Sequence, residues 1–241
     1  MKCLILAAGY ATRLYPLTEN FPKPLLPVGD STILDRLVDD IAGADVSEFI
    51  VISNHKYISH FEKWSSEKPY KIRLFDDGTT ENEGRLGAVR DMLECVKSLG
   101  IDDDCLVIAG DNLLDFSLKS LIDYAKRKNA SCIFRYHEPE FKKLLNCGVV
   151  EISDDDLILS MTEKSPEPKT HWCCPPFYFY KACDIKRLSE ALEDGCKPDS
   201  PGSFAAWLSA KTQVYEMEMP GKRFDVGTVE NYLKIKNEGK I

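Results

Sequence analysis

The chain contains no apolar run long enough to cross a membrane, no C-x-x-C pair and no excess of positive charge. Each absence excludes a class of function. The N-terminal stretch MKCLILAAGY is broken at Gly9, too early for a secretory signal or a spanning helix, so a cytoplasmic protein with no membrane partner is expected. Thirty-one Lys and Arg stand against 39 Asp and Glu, a net charge of −8. That balance argues against generic binding to nucleic acid, and a polyanionic ligand would have to find local positive charge. Histidine is scarce: His55, His60, His137 and His171 lie in polar surroundings without catalytic spacing and are expected at the surface, with no role. The nine cysteines are odd in number, lie mostly in apolar runs and read as reduced, buried thiols. Adjacent Cys173 and Cys174 would point to opposite faces of a strand, which suits neither a metal site nor a redox pair. No fixed-period repeat or low-complexity tract occurs.

What the chain does have is enough apolar content, 44% of 241 residues, to bury a substantial core as one domain over residues 1–241. Val- and Ile-rich runs of strand length recur at 2–7, 48–53, 71–75, 105–109, 131–136, 149–152 and 177–180. Helical periodicity falls between the early ones, at 33–41, 86–99 and 118–127, and this alternation predicts a largely parallel sheet flanked by helices. After about residue 135 the runs become consecutive. Residues 148–152 and 157–161, joined by the acidic turn 154–156, read as a hairpin and predict a mixed sheet with antiparallel edges. Helices are expected again at 184–193, 203–210 and 228–238, with a strand near 213–217. Two long proline-rich loops, 9–32 and 163–176, stand out as functional segments.

The first run leads into Ala8-Gly9-Tyr10-Ala11-Thr12-Arg13-Leu14, whose small residues let backbone N–H groups approach phosphate while Arg13 offers a bidentate fork. It lacks the further glycines of a dinucleotide fingerprint and the Gly-Lys-Ser/Thr of a P-loop, so an ordinary strand-to-helix turn stays open beside a phosphate cradle. Asp111, at the carboxyl end of the 105–109 run, is a candidate Mg²⁺ ligand or a cap for the helix opening near Ser117. Taken alone, Lys23 reads as a solvated lysine in a proline-rich loop, Glu163 and Lys164 as a solvated pair, and Asp225 as a carboxylate near a helix entry.

Taken together, Leu6-Ala7-Ala8-Gly9-Tyr10-Ala11-Thr12-Arg13-Leu14 and Pro22-Lys23-Pro24-Leu25-Leu26-Pro27 resemble the G-x-G-T-R and P-K signature of the sugar-1-phosphate nucleotidylyltransferases, with Ala11 in place of the second glycine. Gly110-Asp111, Phe224-Asp225-Val226-Gly227-Thr228, Glu163-Lys164-Ser165 and Gly148-Val149-Val150 are similar to four further motifs of that family, with Ser165 where proline is usual. The resemblance spans nearly the whole chain and implies a Rossmann-like nucleotide-diphospho-sugar transferase domain. Its nucleotide-binding half would be about 1–130 and its acceptor-binding half about 131–241.

By resemblance, Leu6 to Thr12 cradle a nucleoside triphosphate, Arg13 and Lys23 are catalytic, Asp111 and Asp225 hold Mg²⁺, and Gly87 lies beside the base. Asn146, Gly148, Glu163 and Lys164 would bind a phosphorylated sugar, with self-association of the chain allowed. The implied reaction joins the two substrates into an NDP-sugar and releases pyrophosphate. Rival readings are a cytidylyltransferase for phosphocholine or a similar phosphate, a non-catalytic nucleotide-binding paralogue, and a glycosyltransferase. The last is disfavoured because Gly110-Asp111-Asn112 is not D-x-D.

Overall fold

The computed structural model describes residues 1–238. The chain forms two compact units that interleave in sequence. The first comprises Met1–Arg85, Ala109–Lys119 and Pro220–Ile241, and the second Leu86–Ile108 and Ser120–Met219.

In the first unit, the strand Glu48–Ser53 lies between Lys2–Leu6 and Ile72–Asp76, all three parallel, with Leu4 opposite Ile50 and Ile50 opposite Arg73. Every residue of Glu48–Ser53 is buried, as expected of a central parallel strand. The helix Ile33–Ile41 starts at a capping box in which Thr32 and Asp35 bond to each other's backbone, and it buries Ile33, Leu34, Leu37, Val38 and Ile41. A second helix, Ile58–Ser66, was not expected from the sequence. Only Phe61 and Trp64 are buried in it, too few for a periodic signal. A short antiparallel ladder joins Asn112–Leu114 to Arg223–Asp225, and the helix Val229–Glu238 follows. Leu14, Leu26, Val28, Ile33, Leu113, Val226 and Tyr232 form one apolar cluster in this unit.

The second unit carries an antiparallel sheet in the order Ile158–Glu163, Gly148–Ile152, Trp172–Cys174, Ser131–His137, Phe177–Tyr180 and Cys105–Ala109. Val214–Glu218 adds alongside Ser131–His137 in parallel. The hairpin read at 148–161 is present, with Glu163 opposite Gly148. Helices Ala88–Leu99, Lys119–Lys128 and Pro201–Ser209 accompany this sheet, and the helix expected at 184–193 is two short ones, Ala182–Ile185 and Leu188–Glu193. Of the antiparallel pairs in this unit, the hairpin of Gly148–Ile152 and Ile158–Glu163 joins consecutive strands, and the others bring together strands farther apart in the chain.

All nine cysteines are free thiols, six of them buried. Cys183 departs from the buried-thiol expectation, being exposed on the short helix Ala182–Ile185. No helix among the described residues is long and apolar enough to cross a membrane.

Candidate active site

The loop after Lys2–Leu6 is held from below. Asn54 Nδ2 donates to the Ala8 carbonyl at 2.9 Å, and Ala7 N donates to Ile52 O at 2.8 Å. Leu6 is tied into the fold by its carbonyl, which accepts from Gly110 N at 3.0 Å. The Tyr10 side chain is buried, its hydroxyl 3.0 Å from Thr79 Oγ1, so only its backbone faces outward. Ala11 is in the left-handed region, φ 48° and ψ 42°, and its carbonyl accepts from Thr18 Oγ1 at 2.8 Å and Leu14 N at 2.9 Å. An L-residue with a side chain pays for that conformation, which explains why a glycine suits this place in the motif.

Among the described residues, the N–H groups of Ala8, Gly9, Tyr10 and Ala11 have no protein acceptor. A methyl group added to Gly9 would meet nothing within 4 Å. The loop thus presents a row of free donors over open space, which suits an anion. Thr12 and Arg13 are exposed on the 3₁₀ turn Thr12–Leu14, anchored by buried Leu14, and the Arg13 guanidinium has no protein partner among the described residues.

Lys23 sits on a second 3₁₀ turn, Lys23–Leu25, and is only 6% exposed. A buried ammonium demands a partner. Lys23 Nζ donates to Asp111 Oδ2 at 2.7 Å and lies 3.9 Å from Asp225 Oδ1. The two carboxylates, 114 positions apart, meet because the ladder sets Asp225 opposite Asn112, the neighbour of Asp111. Buried Asn112 completes the frame: its Nδ2 donates to Asp111 Oδ1 at 2.8 Å and its Oδ1 accepts from Arg223 Nη1 at 2.9 Å. One ammonium and two partly exposed carboxylates leave the trio one negative charge in excess, a setting that could hold a divalent cation. Asp111 caps no helix here, since Leu118 N is bonded to Asp40 Oδ2.

The second unit holds the remaining predicted residues. Gly87 has φ +91° at the start of Ala88–Leu99, and a Cβ there would lie 2.7 Å from Pro198 O. Pro198 O also accepts from Val89 N at 2.8 Å, so this glycine has a packing reason to be a glycine. Glu163 ends its strand with Oε1 accepting from Ser200 Oγ at 2.6 Å. A Cβ on Gly148 would lie 2.7 Å from Glu163 Oε2, and one on Gly202 would collide with the same oxygen. Lys164 follows in the left-handed region at φ 51°, exposed, with no side-chain partner among the described residues and no ion pair to Glu163. Asn146 is exposed and its Nδ2 donates back to Lys142 O at 3.4 Å.

The structure therefore brings Lys23, Asp111 and Asp225 together, while Arg13 joins neither carboxylate. Sequence reasoning missed Arg223 as the support of Asn112, and Ser200 and Gly202 around Glu163. A polar residue beside the motif Phe224-Asp225 was the available hint for Arg223. No local signal marked Ser200.

The chain is similar in sequence and in fold to known proteins. The bifunctional protein GlmU of Methanococcus aeolicus is 31% identical over 223 residues, covering 92% of this chain and 49% of that protein. The chain thus spans about half the length of that curated relative. The apo UDP-glucose pyrophosphorylase structure shares the fold at a TM-score of 0.84 and 19% identity, covering 98% of this chain and 97% of that one. A UTP-bound UGPase from Acinetobacter baumannii does so at 0.78 and 18%, covering 98% and 92%. The model of the Nucleotidyl transferase family matches residues 2–240, and with its free loop amides, Lys23, Asp111 and Asp225 all inside that match, the chain belongs to this family.

Proposed function

We propose that this protein transfers a nucleotidyl group from a nucleoside triphosphate to a sugar-1-phosphate with the help of Mg²⁺. The observation that supports this most is the convergence of Lys23, Asp111 and Asp225 in the unit that also carries the donor-rich loop. The phosphate-binding and Mg²⁺-binding residues of this reading lie in the first unit, and Asn146, Gly148, Glu163 and Lys164, read as acceptor-binding, lie in the second, as does Gly87.

The free N–H groups of Ala8 to Ala11 and the unpaired Arg13 fork hold the β- and γ-phosphates, and Lys23 offsets charge developing at the α-phosphate. An oxygen of the acceptor phosphate bonds to the α-phosphorus as the bond to the bridging oxygen breaks, and pyrophosphate leaves with the electron pair. No covalent protein intermediate is needed, so positioning and electrostatics supply the rate.

Asp111 and Asp225 fit Mg²⁺, since a pair of hard carboxylate oxygens with the rest supplied by phosphate and water is its usual setting. When bound, the ion adds charge neutralisation to the triphosphate. On the acceptor side, Glu163 Oε2 is left to accept from a sugar hydroxyl because Oε1 is taken by Ser200, and unpaired Lys164 meets the acceptor phosphate. A carboxylate also attracts a quaternary ammonium, so phosphocholine is the rival acceptor that the panel below separates from the sugars. GlmU is named bifunctional, and the similarity to it covers 49% of its length, so the transfer proposed here concerns the matched part alone.

The test is pyrophosphate release with Mg²⁺, each common nucleoside triphosphate, and a panel of sugar-1-phosphates plus phosphocholine. Release that needs both substrates and is lost in Asp111→Ala supports the reading. Nucleotide binding without release across the panel would sink it in favour of a non-catalytic paralogue.

A further inference from the structure

Glu163 occupies an unusual slot. On one side lies Gly148, its cross-strand partner, and on the other Gly202, near the start of the helix Pro201–Ser209. A Cβ at either glycine would run into Glu163 Oε2, and a Cβ at Gly148 would also lie 2.7 Å from Met161 Cε. Oε2 thus lies close to both glycines, and the lack of a side chain at each leaves room for the carboxylate where it stands. Ser200, 37 positions away, adds direction by donating from Oγ to Oε1 at 2.6 Å. A hydroxyl-to-carboxylate bond of that length is charge-assisted and among the stronger kinds.

The segment that carries Ser200 has a second attachment in the same unit. Pro198 O accepts from Val89 N at 2.8 Å and stands where a Gly87 side chain would be. Residues 198–202 are therefore held at one end by the helix Ala88–Leu99 and continue at the other into Pro201–Ser209. Ser200 is presented from a braced backbone and not from a free loop.

We infer that Ser200 is a positioning residue for acceptor specificity: in the room left by Gly148 and Gly202 it holds Glu163 so that Oε2 alone is offered to one hydroxyl of the sugar. This rests on the reading above that Glu163 contacts the acceptor. The hydroxyl of Ser200 does not itself touch substrate. It occupies Oε1 and keeps the carboxylate from turning, so discrimination between sugars that differ at one hydroxyl depends on it.

The inference is tested by a cycle between protein and substrate. KM and kcat for the best sugar-1-phosphate and for its series of mono-deoxy analogues are measured for the wild type, Ser200→Ala, Ser200→Thr and Glu163→Gln, with thermal melts of each. Ser200→Ala is expected to raise KM for the full sugar about tenfold, the loss of one hydrogen bond to a charged group, with a smaller change in kcat. For the one deoxy analogue that lacks the hydroxyl read by Glu163, the same substitution should change KM less than about twofold. Ser200→Thr, which keeps the donor, should recover most of the wild-type KM.

Equal penalties for Ser200→Ala on every analogue, with Glu163→Gln still sensitive to one of them, would overturn the role of Ser200 and leave the acceptor reading standing. Loss of discrimination in neither variant would overturn Glu163 as an acceptor contact and Ser200 with it. Absence of turnover of any sugar phosphate by the wild type would overturn the proposed function first.

Discussion

The two units carry different kinds of candidate binding group. In the first, the groups read as nucleotide-binding are charges and free backbone donors: the amides of Ala8 to Ala11, unpaired Arg13, and Lys23 between two carboxylates. In the second, the central group is one carboxylate, close to two glycines and directed by a serine hydroxyl. A triphosphate offers the same charge whatever base it carries, so charge and backbone suffice to hold it. Sugars differ by the direction of a hydroxyl, and discrimination between them needs a side chain whose orientation is restricted. On the proposed function, the contrast teaches that generic and specific binding would be built from different materials.

The largest expected effect would sharpen that contrast. Lys23→Ala should lower kcat/KM by about 10²–10³-fold, the usual loss on removing one group that stabilises transition-state charge. The loss should be the same for every acceptor, unlike that of Ser200→Ala. Lys23→Arg should not restore activity, because the buried site holds a compact ammonium with a 2.7 Å bond to Asp111. Steady-state kinetics across the acceptor panel check this, and an acceptor-dependent loss would break the comparison.

A middle effect concerns stability within the second unit. The Tyr180 hydroxyl is fully buried with no hydrogen-bond partner among the described residues, and burial pushes its pKa well up. Its ring stacks with Tyr178 and meets Phe204 edge-on, contacts that phenylalanine would keep. Tyr180→Phe should therefore stabilise the protein by about 1 kcal/mol, by removing a desolvated polar group with no compensating bond. The urea midpoint reads this directly, and a drop would show that the hydroxyl has a partner.

The smallest effect returns to the first unit. Ala11→Gly relieves a left-handed alanine and should gain at most about 1 kcal/mol, reduced by the greater freedom of glycine in the unfolded chain. If the strain serves to aim the loop donors, KM for the nucleoside triphosphate should rise while the melting temperature does too. A more stable protein with an unchanged KM would show the left-handed turn to be incidental to phosphate binding.

Much of the first unit was legible along the chain because its signals are local. The buried strands Lys2–Leu6 and Glu48–Ser53 announce themselves by continuous apolar runs, and the helix Ile33–Ile41 by its period and capping box. The helix Ile58–Ser66 was missed, because two buried aromatics in nine residues leave a pattern weaker than its surrounding polarity. Gly87 is expected beside the base by resemblance, and the packing of Pro198 against it is invisible in the sequence, since nothing near Gly87 encodes a contact over a hundred positions away.

By itself, the sequence determined the chemical inventory: the small-residue turn with Arg13, a lysine among prolines, and three carboxylates in motifs, because residue type and short spacing are local properties. Tertiary structure alone decided which of these lie together. Asp111 and Asp225 meet through an antiparallel ladder, and the cluster of Leu14, Leu26, Leu113 and Val226 holds the segments beside Arg13, Lys23, Asp111 and Asp225 in one apolar core. Glu163 gains its direction from Ser200 only when the helix Pro201–Ser209 is folded beside the hairpin. Strand register and helix docking depend on burying apolar surface from distant segments at once, and no stretch of chain carries that information alone.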